Sequence, residues 1–181
     1  MPVPFRHRLI GLTGTNGAGK GEAAAFLVRR GYEHHSLSDA IRDALAADGL
    51  EPSRDNLILK GNDLRREGGP DVLARRIAEK IRGRAVIDSI RNPSEIAFLR
   101  TQEGFFLIAL DAPPARRFER AAKRGRNESA PDLAAFLRKE AEENGADPGA
   151  QQIGRCMALA DATVINDGTL DDLYRKLEDL I

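Results

Sequence analysis

Short apolar runs alternate along the chain with longer stretches in which apolar positions recur three and four residues apart. The runs are 8–13, 32–38, 84–90, 105–112 and 162–167, and Gly or Pro lies within a few residues of four of the five, as strand ends require. Between them, the spacing predicts helices over 20–30, 39–48, 53–66, 70–82, 93–102, 114–124, 131–143, 147–160 and 169–180. Several starts are marked: Ser53 opens one helix, Pro70 follows Gly69, Pro93 follows Asn92, and Thr169 follows Gly168. Strands that are nearly continuous in apolar residues, and separated by helices, predict a parallel sheet covered on both faces. The chain is expected to be one α/β domain over 1–181, with five parallel strands and a helical insertion over 38–82. The stretch 123–132, "KRGRNESAPD", reads as an exposed, mobile connection.

Composition narrows the classes. At 181 residues, 41% of them hydrophobic, the chain can bury a core without staples. No apolar stretch approaches the roughly 20 residues of a membrane helix, and "MPVPFRHRL" lacks the apolar core of a signal peptide. A cytoplasmic protein without a membrane partner is expected. The single cysteine, Cys156, excludes an internal disulfide framework and reads as a half-buried helix residue. Zero formal net charge and only nine aromatic residues argue against a nucleic-acid partner. The basic residues comprise 22 Arg and 6 Lys. Genome base composition alone can produce that ratio; a planar, bidentate donor also suits phosphate ligands.

The chemistry concentrates first at Gly14-Thr15-Asn16-Gly17-Ala18-Gly19-Lys20, which follows a predicted strand and opens a predicted helix. The spacing G-x-x-x-x-G-K in that context is a phosphate-binding loop: glycines let backbone amides turn around a phosphate, and the helix N-terminus adds partial positive charge. Gly21 stands where a serine or threonine usually reaches for magnesium. The form G-K-G resembles the loop of adenylate kinases and related nucleoside monophosphate kinases. That resemblance implies ATP with Mg2+ held by the nucleotide phosphates and by water that acidic residues position. Glu22 replaces the threonine usual in those kinases, which leaves the metal's surroundings open.

Other segments extend the resemblance to the P-loop nucleotide kinase superfamily over nearly the whole chain. "AVIDSIRNPSEI" is similar to the D-G-x-P-R segment of monophosphate kinases, with Ser89 for the glycine. It implies Asp88 as the carboxylate acting on magnesium through water, and Arg91 as a grip on the acceptor phosphate. "HSLSDAIR" resembles their acceptor segment and implies Ser38, Asp39 and Arg42 beside that phosphate. Arg54, Asn56, Asn62 and Arg65 fall where an acceptor base or sugar would be read; Asn62 and Arg65 are the candidates kept. Plain alternatives stay open: Asp39 or Ser38 as a helix cap, Asp88 as a strand-end cap, and Arg65 on a solvated face. His34 and His35 alternate across a strand and read as structural.

"PPARRFERAAKRGR" carries Arg116, Arg117, Arg120, Lys123, Arg124 and Arg126. Arg116, Arg120 and Arg124 share one helical face, and so many like charges call for an anion between them. A lid over 114–143 is expected, with Arg120 and Arg124 closing on the transferred group and 125–131 as the moving part. "LDAPPARRFERAAKRGR" and "ADATVINDGT" also resemble dephospho-CoA kinases, which implies an adenine pocket at Asn166, Asp167 and Gly168. Further likeness is to archaeal and bacterial nucleotide kinase-like proteins and to a kinase-like segment fused to some deoxycytidylate deaminases.

These resemblances imply a three-layer P-loop kinase fold and ATP-dependent phosphoryl transfer to a small nucleotide, in a monomer or homodimer. Lys20, Asp88, Arg120 and Arg124 would be catalytic, and residues 14–22 with Asn166 and Gly168 would bind ATP. The preferred acceptor is a nucleoside or deoxynucleoside monophosphate. One alternative is dephospho-CoA, whose hydroxyl would need Asp39 as a base; another is a regulatory module that binds nucleotide without turnover.

Overall fold

A computed structural model describes residues 6–124, 130–145 and 151–181. Five strands run parallel: β1 (Leu9–Gly14), β2 (Glu33–Ser36), β3 (Ala85–Asp88), β4 (Phe105–Asp111) and β5 (Ala162–Ile165). Their order across the sheet is β2-β3-β1-β4-β5. Each predicted run holds one strand, and the chain reverses its direction across the sheet at β1, which sits in the middle. In open α/β sheets a ligand crevice forms at such a switch point, beyond the C-terminal strand ends.

Helices cover both faces. α1 (Lys20–Arg29) and α9 (Leu170–Glu178) lie on one. The other carries α2 (Leu37–Ala47), α3 (Arg54–Gly68), α4 (Val72–Ala78), α5 (Pro93–Leu99) and α8 (Ile153–Ala158). α6 (Pro114–Lys123) and α7 (Leu133–Glu143) follow β4. The side-chain alternation of a strand explains the two layers. Leu9, Ile87 and Leu107 join Leu37, Ile41, Leu64, Leu73, Ile77, Ile96 and Leu99 in one core. Ile10, Val86, Ile108 and Leu110 join Phe26, Leu27, Leu173 and Leu177 in the other. The central strands β1, β3 and β4 are buried on both faces and read as continuous apolar runs, whereas the edge strand β2 is Glu-His-His-Ser and largely exposed. The helices of the insertion share the first core with the sheet rather than forming a core of their own.

Local chemistry sets the helix ends. Ser53 accepts the amide of Asn56, and Asn92 with Glu95 forms a reciprocal capping box on α5. α2 departs from expectation, because its cap position is Ser36 and the helix begins at Leu37. Ser38 and Asp39 therefore lie inside the first turn and cap nothing, since β2 runs into α2 without a loop. Cys156 is fully buried, not half-buried, and burial pushes its thiol up to about 12. Of the helix predicted over 147–160, only α8 is seen; residues 146–150, and 125–129 of the expected mobile connection, lie outside the described residues. No helix among the described residues is long and apolar enough to cross a membrane.

The join between β1 and the following loop is the tightest point of the fold. Gly14 has φ 134°, and a Cβ placed on it would sit 1.9 Å from the carbonyl oxygen of Leu110. That contact is backbone against backbone within a central strand pair, so nothing flexible can give way. Gly14→Ala is expected to lower unfolding free energy by roughly 3 kcal/mol or more, read from denaturant titrations; a loss under about 1 kcal/mol would show that the pair can open.

Candidate active site

The glycine loop forms because three of its residues adopt left-handed backbone: Gly14, Gly17 and Gly19, at φ 134°, 79° and 102°. All three also accept close neighbours, Gly14 the Leu110 carbonyl described above. A Cβ on Gly17 would lie 2.5 Å from the Arg117 carbonyl, and one on Gly19 would lie 2.4 Å from Asn166 Nδ2. Supports from other elements then hold the loop. Thr15 Oγ1 donates to Asp111 Oδ1 at 2.6 Å, and Asn166 Nδ2 donates to the Ala18 carbonyl at 2.9 Å. Arg117 Nη1 donates to the Asn16 carbonyl at 3.2 Å, and Arg120 Nη1 donates to the Gly17 carbonyl at 3.3 Å. In a trans peptide the N–H and C=O point opposite ways. Holding the Asn16 and Ala18 carbonyls therefore turns the amides of Gly17 and Gly19 away from their holders.

Lys20 folds back over this loop, donating to the carbonyls of Gly14 and Thr15 at 2.8 and 2.7 Å. Its pKa is lowered to about 7, first by burial and then by Arg91 and Arg124, against the opposing fields of Asp88 and Glu140. Three sequence-predicted groups thus bear on Lys20: Asp88 and Arg91 from the end of β3 and the turn after it, and Arg124 from the end of α6. Gly21 has open space, with nothing within 4 Å of an added Cβ, so crowding does not account for the missing hydroxyl. Glu22 turns away toward α9, where it accepts from the Tyr174 hydroxyl at 3.4 Å.

At the C-terminal ends of β2 and β3, three serine hydroxyls meet. Ser36 Oγ lies 2.8 Å from Ser38 Oγ and donates to Ser89 Oγ at 3.0 Å. Ser89 in turn donates to Asp88 Oδ1 at 2.9 Å. Ser89 has φ 61°, a left-handed conformation uncommon outside glycine. The other Asp88 oxygen meets His34 Nε2 at 2.9 Å. Sequence reading took His34 as merely structural; the parallel register that places β2 beside β3 brings it to this carboxylate. Arg42 Nη1 donates to Ser38 Oγ at 3.0 Å and to Asp39 Oδ1 at 3.1 Å. Arg91 Nη1 donates to Gln151 Oε1 at 2.9 Å.

Some candidates take other places. Arg65 points into the core, 6% exposed, and pairs with Glu95 at 3.1 Å; it is neither a solvated residue nor a reader at the surface. The inward face of α3 is fixed by Leu64 beside it, which belongs to the sheet-facing core. Asn62 is half-buried on α3. Asn56 caps the chain locally, donating to the Glu51 carbonyl at 2.8 Å, and the Arg54 side chain lies outside the described residues.

On α6 the inward stripe is Arg117, Arg120 and Arg124, not Arg116, Arg120 and Arg124. Arg116 is exposed, whereas Arg117 is buried, donating to the Ala112 carbonyl at 3.0 Å and to Glu140 Oε1 at 2.6 Å. Arg124 Nη2 donates to Asn16 Oδ1 at 3.2 Å, and Arg120 Nη2 donates to the Asn166 carbonyl at 3.1 Å. Arg126 lies outside the described residues, as does most of the 125–131 segment. Asn166 is buried with its side chain committed to the loop. Asp167 pairs with Lys176 at 3.1 Å, and Gly168 packs against the carboxylate of Asp172 in the cap of α9.

Comparison with known proteins agrees with this geometry. Residues 10–145 match the model of a family described as "AAA domain". The UPF0200 protein PH1008 of Pyrococcus horikoshii is 32% identical, over 96% of this chain and 95% of its own. A UPF0200 protein of Methanothrix thermoacetophila is 33% identical, over 94% of each. The chain belongs to the AAA domain family and to the UPF0200 proteins. Among solved structures, TT1252 from Thermus thermophilus superposes with a TM-score of 0.63 at 20% identity, covering 97% of both chains. Shikimate kinase from Acinetobacter baumannii gives 0.59 at 19% identity, covering 96% of this chain and 92% of that one. The fold is that of the P-loop kinases, as the motif and strand pattern implied.

Lys20 yields a pH dependence with a definite sign. With its pKa near 7 in the free protein, a phosphate ligand raises it by stabilising the charged form. Binding of such a ligand is expected to be strongest below about pH 7 and to weaken as pH rises, by up to about tenfold per unit. Calorimetry at pH 8 in buffers of different ionisation enthalpy should show close to one proton taken up per nucleotide, and none in Lys20→Met. Binding without proton uptake in the parent chain would refute the depressed pKa.

Proposed function

We propose that the chain is an ATP-dependent kinase that transfers a phosphoryl group to the phosphate of a small nucleotide, a nucleoside or deoxynucleoside monophosphate. The observation that carries this reading is the cluster of cations on the phosphate loop: Lys20 folds over its first carbonyls, while Arg120 and Arg124 bind the Gly17 carbonyl and the Asn16 side chain. Positive charges gathered so closely favour an anion between them. A P-loop kinase fold generally binds ATP with Mg2+, and the loop here offers the left-handed glycines and the lysine that a triphosphate needs.

The division of labour follows the elements. Loop amides and Lys20 would hold the outer phosphates of ATP, while Arg120 and Arg124, from α6, flank the loop. Magnesium, when bound, would supply charge neutralisation on the phosphates. Asp88, whose carboxylate is held by Ser89 and His34, would orient its water. Arg42 and Arg91, with the serine cluster, would receive the acceptor's phosphate.

The step balances without a general base. A phosphate oxygen of the acceptor, already deprotonated at neutral pH, bonds to the γ-phosphorus of ATP. The bond from that phosphorus to the β–γ bridging oxygen breaks, and the electron pair leaves with ADP. Catalysis is then positioning and charge stabilisation. A hydroxyl acceptor such as dephospho-CoA would need a base. Its candidate, Asp39, is half-exposed and bound to Arg42, which supports the phosphate acceptor. On this reading α2–α4 form the acceptor side and α6–α7 the lid.

The test is ADP release from ATP–Mg across all ribo- and deoxyribonucleoside monophosphates and dephospho-CoA, with Lys20→Ala as the blank. One monophosphate should turn over well above the blank. Arg42→Met and Arg91→Met should each raise its KM by about tenfold or more, the worth of a charge-assisted hydrogen bond, and leave the KM for ATP within about twofold. Turnover with dephospho-CoA alone would replace the acceptor. Blank-level rates throughout, with ATP still bound, would mean a nucleotide-binding module instead.

A further inference from the structure

We propose that Arg65 and Glu95 form a positioning device for Arg91, through which the helical insertion sets the arginine that meets the acceptor's phosphate. The proposal rests on the acceptor role given to Arg91 above.

A single carboxylate makes the link. Glu95 Oε1 accepts from Arg65 Nη2 at 3.1 Å and from Nε at 3.4 Å. Its other oxygen, Oε2, accepts the backbone amides of Arg91 at 2.9 Å and Asn92 at 3.0 Å. The Glu95 side chain is 0% exposed and that of Arg65 5% exposed. One buried group therefore joins α3, in the insertion, to the backbone of Arg91 at the sheet's C-terminal edge.

Neither stability nor helix capping explains the arginine. A buried ion pair is often no more stabilising than an apolar pair of the same shape. The capping box on α5 is complete with Asn92 and Glu95 alone. Arg65 comes from 30 positions earlier in the chain and adds what the cap lacks: a fixed direction for the carboxylate, imposed from another element.

The segment it acts on is held at every peptide group that matters. Gln152 N–H donates to the Arg91 carbonyl at 2.7 Å, and Thr13 Oγ1 donates to the Ile90 carbonyl at 2.9 Å. Ser89, two residues before Arg91, has its left-handed φ of 61°, a conformation that persists in a non-glycine residue when its surroundings over-determine it. Thr13 is the next-to-last residue of β1, which leads into the phosphate loop, so the Arg91 segment is referenced to both that loop and the insertion. α3 also packs against α2, which carries Ser38 and Arg42. The spacing between Arg42 and Arg91 is thereby set through α2, α3 and the buried pair.

The test uses Arg65→Met/Glu95→Gln in the full chain. The double change removes the charge pair without stranding a buried charge, and the glutamine oxygen can still cap α5. Amide exchange at Arg91 and Asn92 should quicken at least tenfold, with β1 and α1 unchanged. With the monophosphate that wild type turns over, the acceptor's KM should rise at least tenfold and the KM for ATP stay within twofold. Unchanged exchange at 91 and 92, or KM values for both substrates rising together, would overturn the proposal. Should wild type turn over no acceptor, the kinase reading fails by that result alone. Amide exchange then decides the positioning: faster exchange at 91 and 92 supports it, and unchanged exchange refutes it.

Discussion

The carbonyls of the phosphate loop are held from outside it, and the geometry of the site follows from that hold. Asn16, Gly17 and Ala18 give their carbonyl oxygens to Arg117, Arg120 and Asn166, residues 101, 103 and 148 positions away. A six-residue glycine-rich turn has no side-chain core to keep its shape, and its backbone freedom is costly to restrain. Here β4, α6 and the β5–α9 turn supply the restraint, and Asp111 fastens Thr15 at the loop's start. The loop is thus shaped by the fold before any ligand arrives, which is how binding energy is kept for the ligand instead of for ordering the protein.

The same hold explains the charge arrangement. Fixing α6 against the loop by Arg117 delivers Arg124 to the vicinity of Lys20, while the β3–α5 segment delivers Asp88 and Arg91 from the other side. Without an anion, the lysine takes the loop's own carbonyls as partners. Burial beside two arginines makes its charged form costly, and a phosphate relieves that cost. On the proposed function, the cost of the buried lysine and the binding of a phosphate would be two aspects of one arrangement.

How much of this the sequence discloses depends on how local the cause is. The five strands and the phosphate loop were legible because each rests on neighbouring residues: apolar runs, glycine spacing, and a lysine at the start of a helix. Asp88, Arg91 and Arg124 were legible as residues placed near a strand end or on a basic helix, and the structure brings all three to bear on Lys20. Arg117, Arg65, Asn166 and His34 were not read for what they do. Arg117 is one of six basic residues in a short run, and only the packing of α6 selects which of them turns inward. Arg65 looked exposed because its partner, Glu95, lies 30 positions away and no periodicity links them. His34 depends on the register of β2 on β3, and Asn166 on the approach of two loops that a chain pattern does not encode.

A crystal structure with a non-hydrolysable ATP analogue and magnesium tests the central claim most directly. The loop backbone from Gly14 to Lys20 should superpose on its ligand-free course, still bound by Arg117, Asp111 and Asn166. Lys20 Nζ alone should leave the Gly14 and Thr15 carbonyls for the outer phosphates. A triphosphate bound elsewhere, or a loop that must break its contacts with those three residues to receive it, would contradict a site preformed by the fold.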